Sequence, residues 1–206
     1  VDIALISNGY FDNSKFEVND LSVRNNEFIT VGRLGTPPKA TDLLLEAFCK
    51  SADNHNWNLR LVGPIDESFD NYIEKFFADN PQMKNRVIFE GPVFDKEKLY
   101  DLYNNARVFV LPSRWEGFPL AGSEAAHCGC RMILTDIIPP IKELTNNGKF
   151  GVSIKTNDIT ALKEALIYET RREVKNDEPI NISNYALKEL SWDGICEKLF
   201  SLMNEV

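Results

Sequence analysis

The 206-residue chain contains no C-x-x-C pair, and it holds only four cysteines and two histidines. That argues against zinc, which needs three or four such ligands at short, regular spacings. Cys128 and Cys130 stand one residue apart, a poor spacing for a disulfide with each other. Reduced thiols in a cytoplasmic protein are therefore the plain expectation. No run of 18 apolar residues and no signal-peptide pattern occurs, so no transmembrane segment is expected within the chain. Basic residues are in the minority, 23 Lys and Arg against 31 Asp and Glu, for a net charge of −8. A nucleic-acid surface as the main function is thereby disfavoured. A small anion remains a suitable ligand where a few cations and backbone N–H groups converge. Neither the G-x-G-x-x-G dinucleotide fingerprint nor a Walker P-loop is found. Internal repeats and low-complexity tracts are absent as well.

Short aliphatic runs alternate with longer helical patterns. Strands are expected at Phe28–Val31, Asn58–Val62, Val87–Glu90, Val108–Leu111, Arg131–Thr135 and Val152–Ile154. They are short and little interrupted by polar residues, as strands buried on both faces are. Between them lie helical patterns: "DLLLEAFCKSA", with Thr41 as its expected N-cap, "FDNYIEKFFADN", "DKEKLYDLYNNA", "PLAGSEAAHCG" and "ITALKEALIYET". The polar stretch Arg171–Pro179 is expected as a loop, and the tail "NISNYALKELSWDGICEKLFSLMNEV" as two outer helices. This alternation predicts an α/β fold: an open parallel sheet of about six strands with helices on both faces. In such sheets ligands gather at the carboxyl ends of the strands, where the strand order reverses.

The residues with chemical promise fall on that edge. In "VGRLGTPPK", Gly32 permits a tight turn, and Arg33 and Lys39 precede a helix, two cations beside free N–H groups. In "PSRWEGFPLAGSEAAHCGC", Glu116 sits in a loop and Glu124, seven residues beyond it, lies about a turn and a half into a helix. Carboxylates accept hydrogen bonds from vicinal hydroxyls in pairs. The N–H groups of Gly117, Phe118 and Leu120, around Pro119 at the start of that helix, suit a phosphate. Taken singly, each of these residues reads as an ordinary surface charge. Together they suit a phosphate flanked by two polyols, as in a nucleotide-sugar.

Several segments in order, "VGRL" with Lys39 downstream, "LLLEAF", "LRLVG", "VIFEGPV", "LYNNARVFVLPSRWEGFPLAGSEAAHCG" and "MILTDI", resemble the C-terminal half of retaining GT-B glycosyltransferases of group 1, family four. Glu116 and Glu124 match the E-x7-E motif of that family. The resemblance implies a Rossmann-like domain at residues 25–206, with C-terminal helices, that binds the sugar donor. Residues 1–24 are then an interdomain linker from an N-terminal half lying outside this sequence, in keeping with a start at Val1 inside a strand-like segment. It also implies roles. Arg33 and Lys39 hold the diphosphate and, with Glu116, form the catalytic set. Glu124 holds the ribose. Glu116 with the Gly117–Leu120 backbone holds the transferred sugar, Gly32 lines the phosphate turn, and the loop containing Val93 contacts the base. No metal and no cofactor are implied. The donor is a UDP- or GDP-sugar, and a saccharide or lipid-linked acceptor binds through the N-terminal half. Localisation is then cytoplasmic, with the full-length protein peripheral to the membrane where its acceptor is lipid-linked.

The chain departs from the family pattern in places. Ala40 stands where glycine usually follows the lysine, and two prolines precede it. Cys130 replaces a proline, "DIIPPIKEL" replaces a Gly-Gly pattern, and His127 replaces a small residue and reads as a packing histidine. Trp115 reads equally as a sugar-pocket wall or a packing anchor. A second reading is a degenerate nucleotide-binding or protein-interaction module without transfer activity. A third, a sugar-nucleotide epimerase on the same fold, is disfavoured by the "EGFPL…EA" spacing.

Overall fold

The computed structural model describes residues 7–11 and 17–204. The strand-like start at residues 1–6 and part of the expected linker, residues 12–16, lie outside the described residues. The strands are β1 (Glu27–Val31), β2 (Asn58–Val62), β3 (Val87–Gly91), β4 (Val108–Leu111), β5 (Arg131–Thr135) and β6 (Gly151–Ile154). All six expected strands are present, three of them longer by a single residue, Glu27, Gly91 or Gly151. They form one parallel sheet in the order β3-β2-β1-β4-β5-β6. This is the doubly wound Rossmann-like order, and its direction reverses between β1 and β4.

The aliphatic runs owe their composition to burial on both faces. In β4, Val108 and Val110 enter a core with Phe28, Phe48 and Leu162, while Phe109 and Leu111 enter the opposite core with Tyr103 and Ala126. Helices α1 (Thr41–Ser51), α2 (Asp70–Asp79) and α6 (Ile159–Arg171) cover the first face. Helices α3 (Lys96–Asn105), α4 (Leu120–His127), α5 (Ile141–Leu144) and α7 (Glu178–Glu189) cover the second. Helix α8 (Trp192–Asn204) follows α7 on the outside. Among the described residues no helix is long and apolar enough to cross a membrane.

Several expectations need correction. Thr41 does not cap α1. Ala40 precedes the helix, and the buried Thr41 hydroxyl instead accepts the Gly35 N–H at 2.8 Å, which ties the preceding loop to the helix. The loop expected at Arg171–Pro179 is shorter, because α6 includes Arg171 and α7 starts at Glu178 with Pro179 in its first turn. The short helix α5 had no periodicity to announce it. At the other end of α4, Gly129 takes the left-handed conformation (φ 81°) that stops a helix, as a terminal glycine does.

Buried charges tie the outer helices to the amino edge of the sheet. Arg131, at the start of β5, donates through Nε to both carboxylate oxygens of Glu169 at 3.2 and 3.0 Å. Arg172 Nε donates to the same carboxylate at 2.7 Å and also bonds Glu178 at the start of α7. Arg24, almost wholly buried, donates to the carbonyls of Ala106 and Cys128 at 2.8 and 2.6 Å and thereby fastens the segment before β1. His127 is buried, in keeping with its packing role; its Nδ1 pairs with the Tyr10 hydroxyl at 2.8 Å and fixes the segment at residues 7–11.

His55, between α1 and β2, accepts two hydrogen bonds at a single ring nitrogen. Its Nδ1 accepts from Trp57 N–H at 3.2 Å and from Arg86 Nη2 at 3.0 Å, and its Nε2 lies 2.9 Å from the Ser51 hydroxyl. Burial, aided by the charges of Arg86 and Arg171, lowers its pKa to about 4. A neutral imidazole is thus favoured in the fold. Its stabilising contribution is complete above the ordinary histidine pKa of 6.5 and is lost as pH falls from there towards 4. Discounted for the ring's partial exposure, the effect is ~1 kcal/mol. Between pH 7 and pH 4.5 the melting temperature of the unsubstituted protein should therefore fall by about 3 °C more than that of His55→Gln, read by circular dichroism.

Candidate functional site

The chain leaves β1 towards one face of the sheet and leaves β4 towards the other, which opens a crevice at the carboxyl edge between these neighbouring strands. The loop after β1 runs through Gly32 and Arg33 to a short 3-10 turn at Pro37–Lys39. The loop after β4 runs from Pro112 to Pro119, where α4 begins. The two loops meet across the crevice: Lys39 Nζ lies 2.7 Å from Glu116 Oε2, and the Ser113 hydroxyl donates to that oxygen at 3.1 Å. Only 27% of the Lys39 side chain and 14% of the Glu116 side chain are exposed. The lysine stem passes over Gly32, where an added Cβ would lie 3.4 Å from Lys39 Cε. A side chain at position 32 would therefore crowd the cation.

The other expected residues surround this pair in different settings. Arg33 is exposed, and its guanidinium makes no hydrogen bond or ion pair among the described residues. Ser68, through its hydroxyl and N–H, holds the Asp66 carboxyl below the usual range, with a smaller contribution from Arg33. Glu124 is half-buried on α4, and its carboxylate forms no hydrogen bond among the described residues. Burial pushes its pKa up, opposed by the charge of Lys96 at the start of α3. The N–H groups of Gly117, Phe118 and Leu120 have no acceptor among the described residues, and Pro119 contributes none. Val93 packs against the second core at the foot of the loop after β3, where the next residue, Phe94, is almost fully exposed. Trp115 is likewise exposed, which removes its reading as a packing anchor among the described residues.

The arrangement offers a cation held ready by a carboxylate, a free cation nearby, unpaired backbone donors at a helix start and a half-buried acceptor. It can receive an anion and hydroxyl groups together. Among the described residues no three His, Cys, Asp or Glu side chains converge as metal ligands would. A separate cleft of about 370 Å³ between α1 and α2, lined by Glu46, Cys49, Tyr72 and Phe76, holds none of the expected residues.

Two residues escaped the sequence reading, and a third, Ala40, was legible there only as a departure from the family pattern. Lys96 faces Glu124 electrostatically but precedes it by 28 positions, with no local pattern linking them. Arg114 lies inside the quoted motif, yet its partners are distant in sequence. Ala40 adopts the left-handed conformation (φ 51°, ψ 41°) while fully buried. The family's usual glycine suits that conformation, which costs an alanine roughly 1–2 kcal/mol. Part of that strain is offset by the greater freedom of glycine in the unfolded chain. Ala40→Gly should therefore stabilise the protein by about 0.5–1 kcal/mol, a rise of 1–4 °C in melting temperature by calorimetry.

Known proteins similar to this chain share its fold and family. The capsular polysaccharide biosynthesis glycosyltransferase CapM of Staphylococcus aureus is 25% identical over 159 residues, 75% of this chain and 40% of CapM. The mannosylfructose-phosphate synthase of Agrobacterium fabrum is 30% identical over 148 residues, 65% of this chain and 32% of that enzyme. The chain spans 14% to 40% of the length of the curated relatives it matches. Among solved structures, the lipopolysaccharide outer core galactosyltransferase WaaB superposes with a TM-score of 0.77 over 100% of this chain and 56% of its own, at 17% identity. The pneumococcal O-GlcNAc transferase GtfA, in complex with UDP and GlcNAc, gives 0.72 over 96% of this chain and 38% of its own, at 19% identity. At such identities the structural likeness establishes the fold. The family described as "Glycosyl transferases group 1" matches residues 12–188, and the chain belongs to that family.

Proposed function

We propose that this chain is the donor-binding half of a retaining glycosyltransferase that uses a nucleotide-diphosphate sugar. The observation that carries the reading is the Lys39–Glu116 pair at the sheet's switch point, beside the free N–H groups that open α4. An incoming donor offers each member of the pair a new partner. The diphosphate takes Lys39 and Arg33, and the sugar hydroxyls take Glu116. Glu124 accepts from the ribose hydroxyls, and the loop at Val93 faces the base. The fold-level likeness to GtfA, a transferase in complex with UDP and GlcNAc, supports a nucleotide-sugar as the ligand class.

In the reaction the bond from the anomeric carbon to the diphosphate oxygen breaks, and the diphosphate departs with the electron pair. The acceptor hydroxyl attacks from the face the diphosphate leaves, and its proton passes to the departing phosphate. Lys39 and Arg33 stabilise the charge that develops there, while Glu116 fixes the sugar. Catalysis is thus positioning plus electrostatic stabilisation. The acceptor, a saccharide or a lipid-linked glycan, binds chiefly through a further domain, so the chain by itself binds donor without appreciable transfer.

UDP or GDP should raise the melting temperature of the chain by binding the folded state, whereas NAD should not. Failure of every nucleoside diphosphate in calorimetric titration would sink the reading. The two glutamates should separate. Glu124→Ala should weaken UDP by roughly 1.5–3 kcal/mol, the size of a charge-assisted hydrogen bond. Glu116→Ala should leave UDP unchanged or tighten it slightly, by up to about 1 kcal/mol, because Lys39 no longer has to leave its carboxylate partner. It should weaken the intact nucleotide-sugar instead. EDTA should not alter this pattern; equal losses for both ligands in both variants would contradict the division of roles.

A further inference from the structure

Arg114 makes the most extensive set of contacts in the crevice, and none of them is to the expected ligand groups. Its backbone N–H donates to the Pro38 carbonyl at 2.8 Å. Its Nη1 donates to the Pro37 carbonyl at 3.0 Å and to Asp42 Oδ1 at 2.9 Å, and its Nη2 donates to Asp42 Oδ2 at 2.7 Å. Its Nε donates to Asn157 Oδ1 at 2.8 Å. The guanidinium fork therefore engages the Asp42 carboxylate in a paired, planar contact, a geometry a lysine cannot reproduce.

The placement of these partners gives the contacts their meaning. Pro37 and Pro38 immediately precede Lys39, and Asp42 follows it in the first turn of α1. Arg114 itself stands two residues before Glu116. One side chain thus grips the loop after β1 on both sides of its cation, from within the loop that carries the carboxylate. Asn157, in a left-handed turn (φ 61°) between β6 and α6, anchors the fork from a third element. The loop after β1 needs such support, because it contains a buried alanine in an unfavourable conformation and two prolines that cannot donate to any neighbour.

We infer that Arg114 is a positioning residue for the donor site: it locks the loops after β1 and β4 together, so that Lys39 and Glu116 are presented to one ligand in a fixed spacing. The inference rests on the donor-site reading of Lys39 and Glu116. It makes Arg114 act through Lys39 and not on the ligand.

Calorimetry with UDP on single and double variants tests that route. Arg114→Ala should weaken UDP by about tenfold, within the range that a misplaced binding group costs. Arg114→Lys should recover little of the loss, and Asp42→Asn, altering the same contact from the other side, should weaken UDP in the same direction. In a Lys39→Ala background, Arg114→Ala should cost less than about twofold further, because two residues acting through one contact do not add. A full tenfold cost in that background would overturn the inference, as would unchanged binding in Arg114→Ala alone. Hydrogen exchange without ligand supplies a readout independent of nucleotide. Arg114→Ala should speed amide exchange at Thr36, Lys39 and Ala40 and at residues 113–117, with the strands of the sheet unchanged. Unaltered exchange in both loops would overturn the inference even if UDP binds. Failure of the unsubstituted chain to bind UDP or GDP would instead count against the donor-site reading, and the exchange experiment would still decide the clamp.

Discussion

The constraint on which the rest of the site depends is the reversal of strand order between β1 and β4. Two neighbouring parallel strands send their chains to opposite faces, so no helix can close over the gap between their carboxyl ends. Whatever the two following loops carry must meet there. In this chain they carry a lysine and a glutamate, and the two pair at 2.7 Å. Each partner is mostly withdrawn from water, so neither can be left unpaired without a cost in desolvation. A ligand able to satisfy both is favoured over one that satisfies only the lysine. On the donor-site reading proposed above, a nucleotide-sugar would do the first and a bare diphosphate only the second.

The scaffold that holds this crevice is rigid for ordinary reasons. The strands are buried on both faces, and each strand-facing helix adds side chains to one of two apolar cores. At the opposite edge, Arg131, Glu169, Arg172 and Glu178 knit β5, α6 and α7 together. Removing one member there would leave a buried charge without compensation, which is costly. Arg24 and the Tyr10–His127 pair serve the segments before β1 in the same way, by giving buried polar groups a single satisfied arrangement.

Stability and binding are in tension at the carboxyl edge. Glu124 is held half-buried with only Lys96 to offset its charge, so the fold favours the protonated acid more than water does. Its raised pKa means that this group stabilises the fold only at low pH and loses that contribution as pH rises through the folded-state value. Ala40 and the N–H groups that open α4 have the same character of local cost: strain in one case, unsatisfied donors in the other. Such features persist where the surrounding packing over-determines them, and here they cluster around one crevice.

What could be known without the fold was whatever depends on local pattern. The strands were legible because burial on both faces demands unbroken aliphatic runs. The helices other than α5 were legible from their apolar spacing, and the placement of Arg33, Lys39, Glu116 and Glu124 from the loops and helix that follow the strand ends. Contacts across the chain were not. Nothing near Lys39 announces Glu116 as its partner 77 residues away, and nothing near Arg114 announces Asp42 or Asn157. The departure at Ala40 was visible as an unusual residue, but its left-handed backbone was not, because φ there is imposed by the packing of the loop against α1. Thr41 looked like a cap by composition and instead satisfied a distant N–H. The sequence by itself determined which residues lie at the carboxyl edge. Only the tertiary structure decided which of them touch, because strand order brings loops together without regard to their separation along the chain.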